Sequence, residues 1–234
     1  MKIIVLGDIH GNLPALEVAL REARAEGCDL LCHTGDLVGF APFPRETVAL
    51  MRAARLPGVR GEIDASIAAE EPAYDGGEPG EAGGFERRAY AWTLARTDRV
   101  TRGLLSDLPF EQRFEAGGRR AVVVHANPID AWTPLREDRD EDFLRTMGDA
   151  ADADLILFGH THRPWHRVVD GRHFINAGSV GYPRDGDPRT GYVVIRTNGH
   201  VEVQFRRFPY DVARLIRAAR ERGFPPGAES AFAG

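Results

Sequence analysis

The sequence is nearly without lysine: Lys2 stands alone against 29 arginines in a chain of 234 residues. That bias reads as genomic composition before it reads as function. With 35 acidic side chains the net charge is -5, so no general attraction to a nucleic acid polymer is expected. Cysteine is almost as scarce. Cys28 and Cys32 have no second pair to complete a zinc site or a disulfide framework, and are expected as reduced structural thiols of a cytoplasmic protein. Long apolar runs are missing too. The first, Ile3 to Leu6, is far too short for a signal peptide, and no run approaches the roughly 20 residues of a membrane span.

What is present is 43% apolar and 28% charged, enough to bury one sizeable core. A single domain is expected over residues 1–223, with 224–234 a disordered Pro-Gly-Ala tail. Apolar runs and helical periods alternate through the first third. Leu13, Leu16, Leu20 and Ala23 share one helical face that Asn12 can cap, Pro14 can start and Gly27 can end. A strand at 30–35, a helix from Pro44 to Leu56 and a short strand at Val59-Arg60-Gly61 follow, implying a parallel sheet with crossovers. Residues 65–84, rich in Gly, Glu, Ala and Pro, predict a mobile surface loop. Helices carrying Phe85 to Trp92 and Val100 to Leu105 come next, then strands at Ala121–Val124 and Leu155–Phe158 with a helix around Phe143 to Met147 between them. Asp170-Gly171 and Asn198-Gly199 then turn two hairpins. A last amphipathic helix carries Val212, Leu215, Ile216 and Ala219.

The polar residues that could do chemistry gather where those strands end. Gly7-Asp8-Ile9-His10-Gly11 follows the first strand and Gly35-Asp36-Leu37-Val38-Gly39 the second. His125 ends the Ala121 run, and Gly159-His160-Thr161-His162 ends the Leu155 run. Asp8 and His10, two apart in extended backbone, point the same way. Any one of these has an ordinary reading: His160 or His162 as a cap or solvent-facing residue, His125 as a satisfied core edge. Together Asp8, His10, Asp36, His125, His160 and His162 make a set that scattered loop residues rarely give. Mixed oxygen and nitrogen ligands suit Mn, Fe, Zn or Ni, and two Asp/His groups suggest two metals bridged by a carboxylate. Such a site serves phosphoester hydrolysis first and aminopeptidase chemistry second.

With Asn12 and the downstream Asn176-Ala177-Gly178-Ser179-Val180-Gly181 and Pro183-Arg184-Asp185-Gly186-Asp187-Pro188-Arg189 added, the chain resembles the calcineurin-like metallophosphoesterases, in particular their small bacterial and archaeal phosphodiesterase branch, over residues 1–205. The resemblance implies an α/β fold, a four-layer αββα sandwich of two mixed β-sheets. It makes Asp8, His10 and His162 ligands of one divalent metal ion and His125 and His160 ligands of a second, with Asp36 bridging. Mn is the first expectation, with Fe, Zn, Ni or Mg as alternatives. A hydroxide bridging the two ions would attack phosphorus in line.

One motif departs from the family. Where the family has Gly-Asn-His-Asp, or Cys for His, this chain has Gly61-Glu62-Ile63-Asp64. Glu62 could still ligate the second metal, and with Asp36 and His125 it completes the catalytic candidates. Ile63 cannot move a proton, so lowered activity is expected. Of the remaining candidates, His33 reads as a packed residue. Arg184 and Arg189 could neutralise substrate phosphate or form structural salt bridges. Trp132 could stack a base or anchor its own loop. The reading is a metal-dependent phosphodiesterase for a small or nucleotide-like phosphoester substrate, with no membrane partner and room for a homo-oligomer. Two alternatives stay open: a scaffold or binding protein that kept the fold, and a protein Ser/Thr phosphatase or dinucleoside polyphosphate hydrolase.

Overall fold

Ile3 and Val5 face one apolar core while Ile4 and Leu6, from the same strand, face another. A strand buried on both sides is a strand in an inner layer, and its sequence therefore runs apolar without alternation. The computed structural model describes residues 1–71 and 84–232. In chain order the elements are β1 (Lys2–Leu6), α1 (Leu13–Glu26), β2 (Leu30–His33), α2 (Pro44–Ala54), α3 (Glu62–Ala68), α4 (Gly84–Arg96), α5 (Arg99–Ser106), β3 (Gln112–Glu115), β4 (Arg120–Val123), α6 (Glu141–Ala151), β5 (Leu155–Phe158), β6 (Trp165–Val169), β7 (Arg172–Asn176), β8 (Thr190–Arg196), β9 (Glu202–Phe208), α7 (Val212–Glu221) and α8 (Ala228–Phe232).

The strands form two mixed sheets, ordered β2-β1-β8-β9 and β3-β4-β5-β7-β6. In the first, β1 runs parallel to β2 and antiparallel to β8. In the second, β4, β5 and β7 are parallel neighbours and hairpin partners close both edges. Ile3, Val5, Val193 and Ile195 from one sheet meet Val123, Leu155, Leu157 and Ile175 from the other in the layer between them. The opposite faces pack on helices: Ile4, Leu6 and Val194 against α1, and Ile156 and Phe158 against Leu144 and Met147 of α6. That is the αββα sandwich.

Local signals set the helix ends. Asn12 Oδ1 accepts the Ala15 N–H at 3.2 Å, and Gly27 ends α1 with φ 68°. Asp98, Asp140 and Asp211 cap α5, α6 and α7 in the same way.

Three expectations change. Val59-Arg60-Gly61 is no strand: a single parallel bridge joins His33 to Gly58, and α3 begins at Glu62, because Asp64 takes up the Gly61 N–H and starts a helical turn there. The loop expected over 65–84 is helical at its start, since α3 runs to Ala68 and buries Ile63 and Ile67; positions 72–83 lie outside the described residues. The tail expected to be disordered from 224 carries α8, whose Phe232 is buried against Tyr182 at a ring separation of 5.5 Å. Two aromatic side chains, Phe224 and Phe232, supply apolar burial that the Pro-Gly-Ala composition hides.

Candidate metal centre

Every loop that carries a candidate ligand leaves the same end of the two sheets. Asp8 and His10 follow β1, Asp36 follows β2, His125 follows β4, and His160 and His162 follow β5. Glu62 opens α3. The sharp departures from strand geometry are visible in the backbone. His10, Asp36, His160 and His162 have φ of 50°, 49°, 67° and 59°, left-handed values that cost a non-glycine residue of order 1–3 kcal/mol. Close approach demands glycine at two neighbours. A Cβ on Gly61 would stand 2.0 Å from Asp36 Oδ1, and one on Gly159 2.3 Å from Asp8 Oδ1.

The side chains form two groups. Asp8, His10 and His162 present ligand atoms within 4.8 Å of one another, and so do Glu62, His125 and His160. In the first group His162 Nε2 lies 2.8 Å from His10 Nε2 and 3.1 Å from Asp8 Oδ2. In the second, Glu62 Oε2 is in contact with His125 Nε2 and 3.3 Å from His160 Nδ1. Asp36 stands between the groups. Its Oδ2 is 3.7 Å from His10 Nε2 on one side and 3.7 Å from His125 Nε2 on the other.

Surrounding groups fix the orientation of these ligands. His10 Nδ1 faces the Val38 carbonyl at 3.2 Å and His125 Nδ1 the Thr34 carbonyl at 2.7 Å, so each ring donates from Nδ1 and turns its Nε2 inward. Asp8 accepts from the Thr34 hydroxyl at 3.0 Å and from the His160 N–H at 2.7 Å. Asp36 Oδ1 accepts the Ile63 N–H at 3.1 Å. Asn176 donates to the Gly159 carbonyl at 2.7 Å and clamps the loop that holds His160 and His162.

Atoms facing the interior of the cluster are left over. Asp36 Oδ2, Glu62 Oε2, His125 Nε2 and His160 Nδ1 are buried without a hydrogen bond. Buried, unpartnered lone pairs are costly unless a cation takes them up, and three buried carboxylates among four imidazoles are a donor set that fits two divalent ions. The charges already act on one another. Burial and the nearby Glu62 charge push the Asp36 carboxyl well above its ordinary range. Burial also disfavours the Glu62 charge, but His160 and His125 outweigh it and hold that carboxyl well below its range. Asp8, where burial is outweighed by the His162 hydrogen bond and imidazole charge, is lowered to about 2. Burial and the neighbouring His162 keep the His10 ring neutral, well below its usual value.

The other candidates lie elsewhere. His33 is buried beneath Gly58 and accepts the Gly35 N–H at 3.2 Å, a packed residue outside both groups. Arg189 pairs with Asp187, and Trp132 is half exposed on its own loop. Arg184 forms the salt bridge that was one of its two readings, with Glu86 at 2.9 Å, and its charge still reaches His162. Ile63 is fully buried among apolar side chains.

Sequence reasoning overlooked Thr34, which holds both Asp8 and His125, and Glu86, which anchors Arg184 and accepts from the Tyr182 hydroxyl at 2.9 Å. The signal for Thr34 was its place one residue before the Gly35-Asp36 turn. Glu86 had none, being distant in sequence.

Residues 1–200 match the calcineurin-like phosphoesterase superfamily domain. A metallophosphoesterase from Sphaerobacter thermophilus has a similar crystal structure, with TM-score 0.80 and 29% identity over 100% of this chain and 99% of that one. An uncharacterized protein of Methanocaldococcus jannaschii is 27% identical, covering 95% of this chain and 93% of its own. Serine/threonine-protein phosphatase 1 of Salmonella typhimurium is 27% identical over 75% of this chain and 86% of its own length.

Proposed function

The chain belongs to the calcineurin-like phosphoesterase superfamily, and from that premise we propose that it is a metal-dependent phosphoesterase, a phosphodiesterase first, that hydrolyses a small or nucleotide-like substrate. The observation that carries the reading is the position of Asp36 Oδ2, unpartnered and 3.7 Å from an imidazole Nε2 in each of two donor groups. Asp8, His10 and His162 would hold one divalent ion, Glu62, His125 and His160 the other, and Asp36 both. Two such ions, with Mn the first choice, supply Lewis acidity toward phosphoryl oxygens and a water of lowered pKa.

The protein's own contribution is orientation and charge. The Thr34 and Val38 carbonyls keep the His125 and His10 rings turned inward, and the Asn176 amide keeps the His160 loop in place. Glu86 holds the Arg184 guanidinium near His162, where it can meet a phosphoryl oxygen with paired donors. No proton donor stands at position 63, so the leaving group receives no proton from the place where the family pattern has its imidazole.

The test is a substrate panel on Mn-loaded protein: an aryl phosphodiester, the matching monoester and phosphoserine peptides, with a chelated control. Faster turnover of the diester, lost on chelation, is the expected result. Preference for the phosphopeptide would establish the protein Ser/Thr phosphatase reading, which the Salmonella relative favours. Two bound metals without turnover of any substrate would make the chain a binding protein.

A further inference from the structure

A second site lies outside the metal cluster. Helices α2, α4 and α5 and the end of α7 surround a half-open cavity of about 1240 Å³, to which no metal-centre residue contributes. Its walls are rich in arginine and poor in acid. Arg45 is neutralised by Asp98 at 2.9 Å and Arg222 by Glu46 at 2.7 Å. Arg52, Arg55 and Arg96 have no acidic partner among the described residues. Three guanidinium groups without an acidic partner among the described residues gather positive charge on one concavity of a chain whose net charge is -5.

The Trp92 ring belongs to the same wall. Trp92 is 8% exposed and its indole Nε1 has no hydrogen-bond acceptor. Arg96 lies over the Trp92 ring at 4.4 Å, so that guanidinium and the indole face share one side of the cavity. The lining between the arginines is apolar: Val48, Leu104 and Val100, the last 67% exposed. The unpaired charged groups here are all guanidinium donors, and apolar side chains lie between them.

We propose that this cavity is an effector site for a nucleotide-like organic phosphate, with the phosphates held by Arg52, Arg55 and Arg96 and the body seated beside Trp92 on the apolar lining. Planar guanidinium forks match phosphate oxygens in pairs, and three of them call for a ligand with more than one negative charge. The apolar lining calls for more than an inorganic anion. The site is independent of the catalytic reading, since it shares no residue with the metal centre.

The experiment is calorimetric titration of the full chain, metal-loaded and chelated, with ADP, inorganic pyrophosphate and adenosine as three separate probes. ADP is expected to bind equally with and without metal, at least ten-fold more tightly than either pyrophosphate or adenosine. Arg52→Glu with Arg55→Glu should weaken ADP at least ten-fold while leaving aryl phosphoester turnover and metal content unchanged. Arg96→Glu, which reverses the third guanidinium, should weaken ADP several-fold with the fold intact by circular dichroism. ADP binding that disappears on chelation would put the ligand at the metals and overturn the proposal. So would equal binding of ADP by the double arginine variant, pyrophosphate or adenosine binding as tightly as ADP, or no ADP binding at millimolar concentration.

Discussion

Asp64 accepts the backbone N–H of Leu37 at 2.8 Å, and this bond ties the start of α3 to the loop that carries Asp36. The same carboxylate takes the Val38 N–H at 3.3 Å and the Gly61 N–H at 3.3 Å, so three buried donors depend on one side chain. The family pattern pairs this aspartate with an imidazole that Ile63 has replaced; its backbone duty here persists without that partner. Asp36 Oδ1 in turn accepts the Ile63 N–H, so the two loops hold each other from both directions.

Asp64→Ala should therefore cost stability and metal affinity together. Leaving buried N–H groups without acceptors predicts a loss of about 2–4 kcal/mol in urea denaturation. Loosened Asp36 and Glu62 should weaken metal binding roughly 10- to 100-fold in a competition titration. A variant with full stability and full metal affinity would mean that the clamp is not needed.

Asp36→Asn separates the two oxygens of the bridge. The amide oxygen can keep the Ile63 N–H, so the loop stays tied, while an NH2 replaces Oδ2, the atom 3.7 Å from each donor group. Metal content by elemental analysis should fall below two ions per chain, and phosphoester turnover by at least about 10²-fold, with thermal stability of the chelated protein near wild type. Retention of both ions would remove Asp36 from its place between the two groups.

The strand ends were legible because apolar runs and turn residues are local signals. Asp8, Asp36, His125, His160 and His162 could be placed from the runs before them, and the hairpins from Asp170-Gly171 and Asn198-Gly199. The layering was not local. Which face of β1 meets the second sheet depends on β4, β5 and β7, far along the chain, and that came from family resemblance. Glu62 and Ile63 mark the limit most clearly. The chemistry of each could be read from its residue type. That Glu62 sits at a helix start, with Ile63 buried behind it, follows from hydrogen bonds to residues 36–38.

His33 gives a pH dependence that is separate from catalysis. Its ring is buried outside both donor groups, and burial lowers its pKa to about 4 from an ordinary 6.5. The folded state therefore keeps this ring neutral while the unfolded chain protonates it. Stability contributed by the neutral ring is complete above the unfolded value and is lost as pH falls from about 6.5 toward 4. Between pH 7 and pH 5 this one group should remove about 2 kcal/mol. His33→Asn keeps an acceptor for the Gly35 N–H and does not titrate. Urea denaturation at the two pH values should show a smaller drop for the variant than for wild type, and equal drops would show that His33 titrates normally.

Ile63 sets the last expectation. A positioned general acid is worth roughly 10²- to 10⁴-fold when the leaving group is a poor one, and nothing at a good one. Ile63 is fully buried in the apolar core, so position 63 offers no proton, and the four imidazoles nearby are turned toward the carboxylates of the centre. Glu62 works in the same direction, adding negative charge where a phosphoester would have to approach. Turnover of a series of aryl phosphodiesters should thus fall steeply as the leaving-group pKa rises. Restoring the proton donor alone, by Ile63→His, should help little, because the side chain at this position is packed into the core and an imidazole there loses apolar burial and its solvation. Glu62→Asn removes the extra charge with position 63 left packed in the core, and should raise rates for good and poor leaving groups alike while the dependence stays steep. A flat dependence in the unmodified protein would show that another side chain donates the proton.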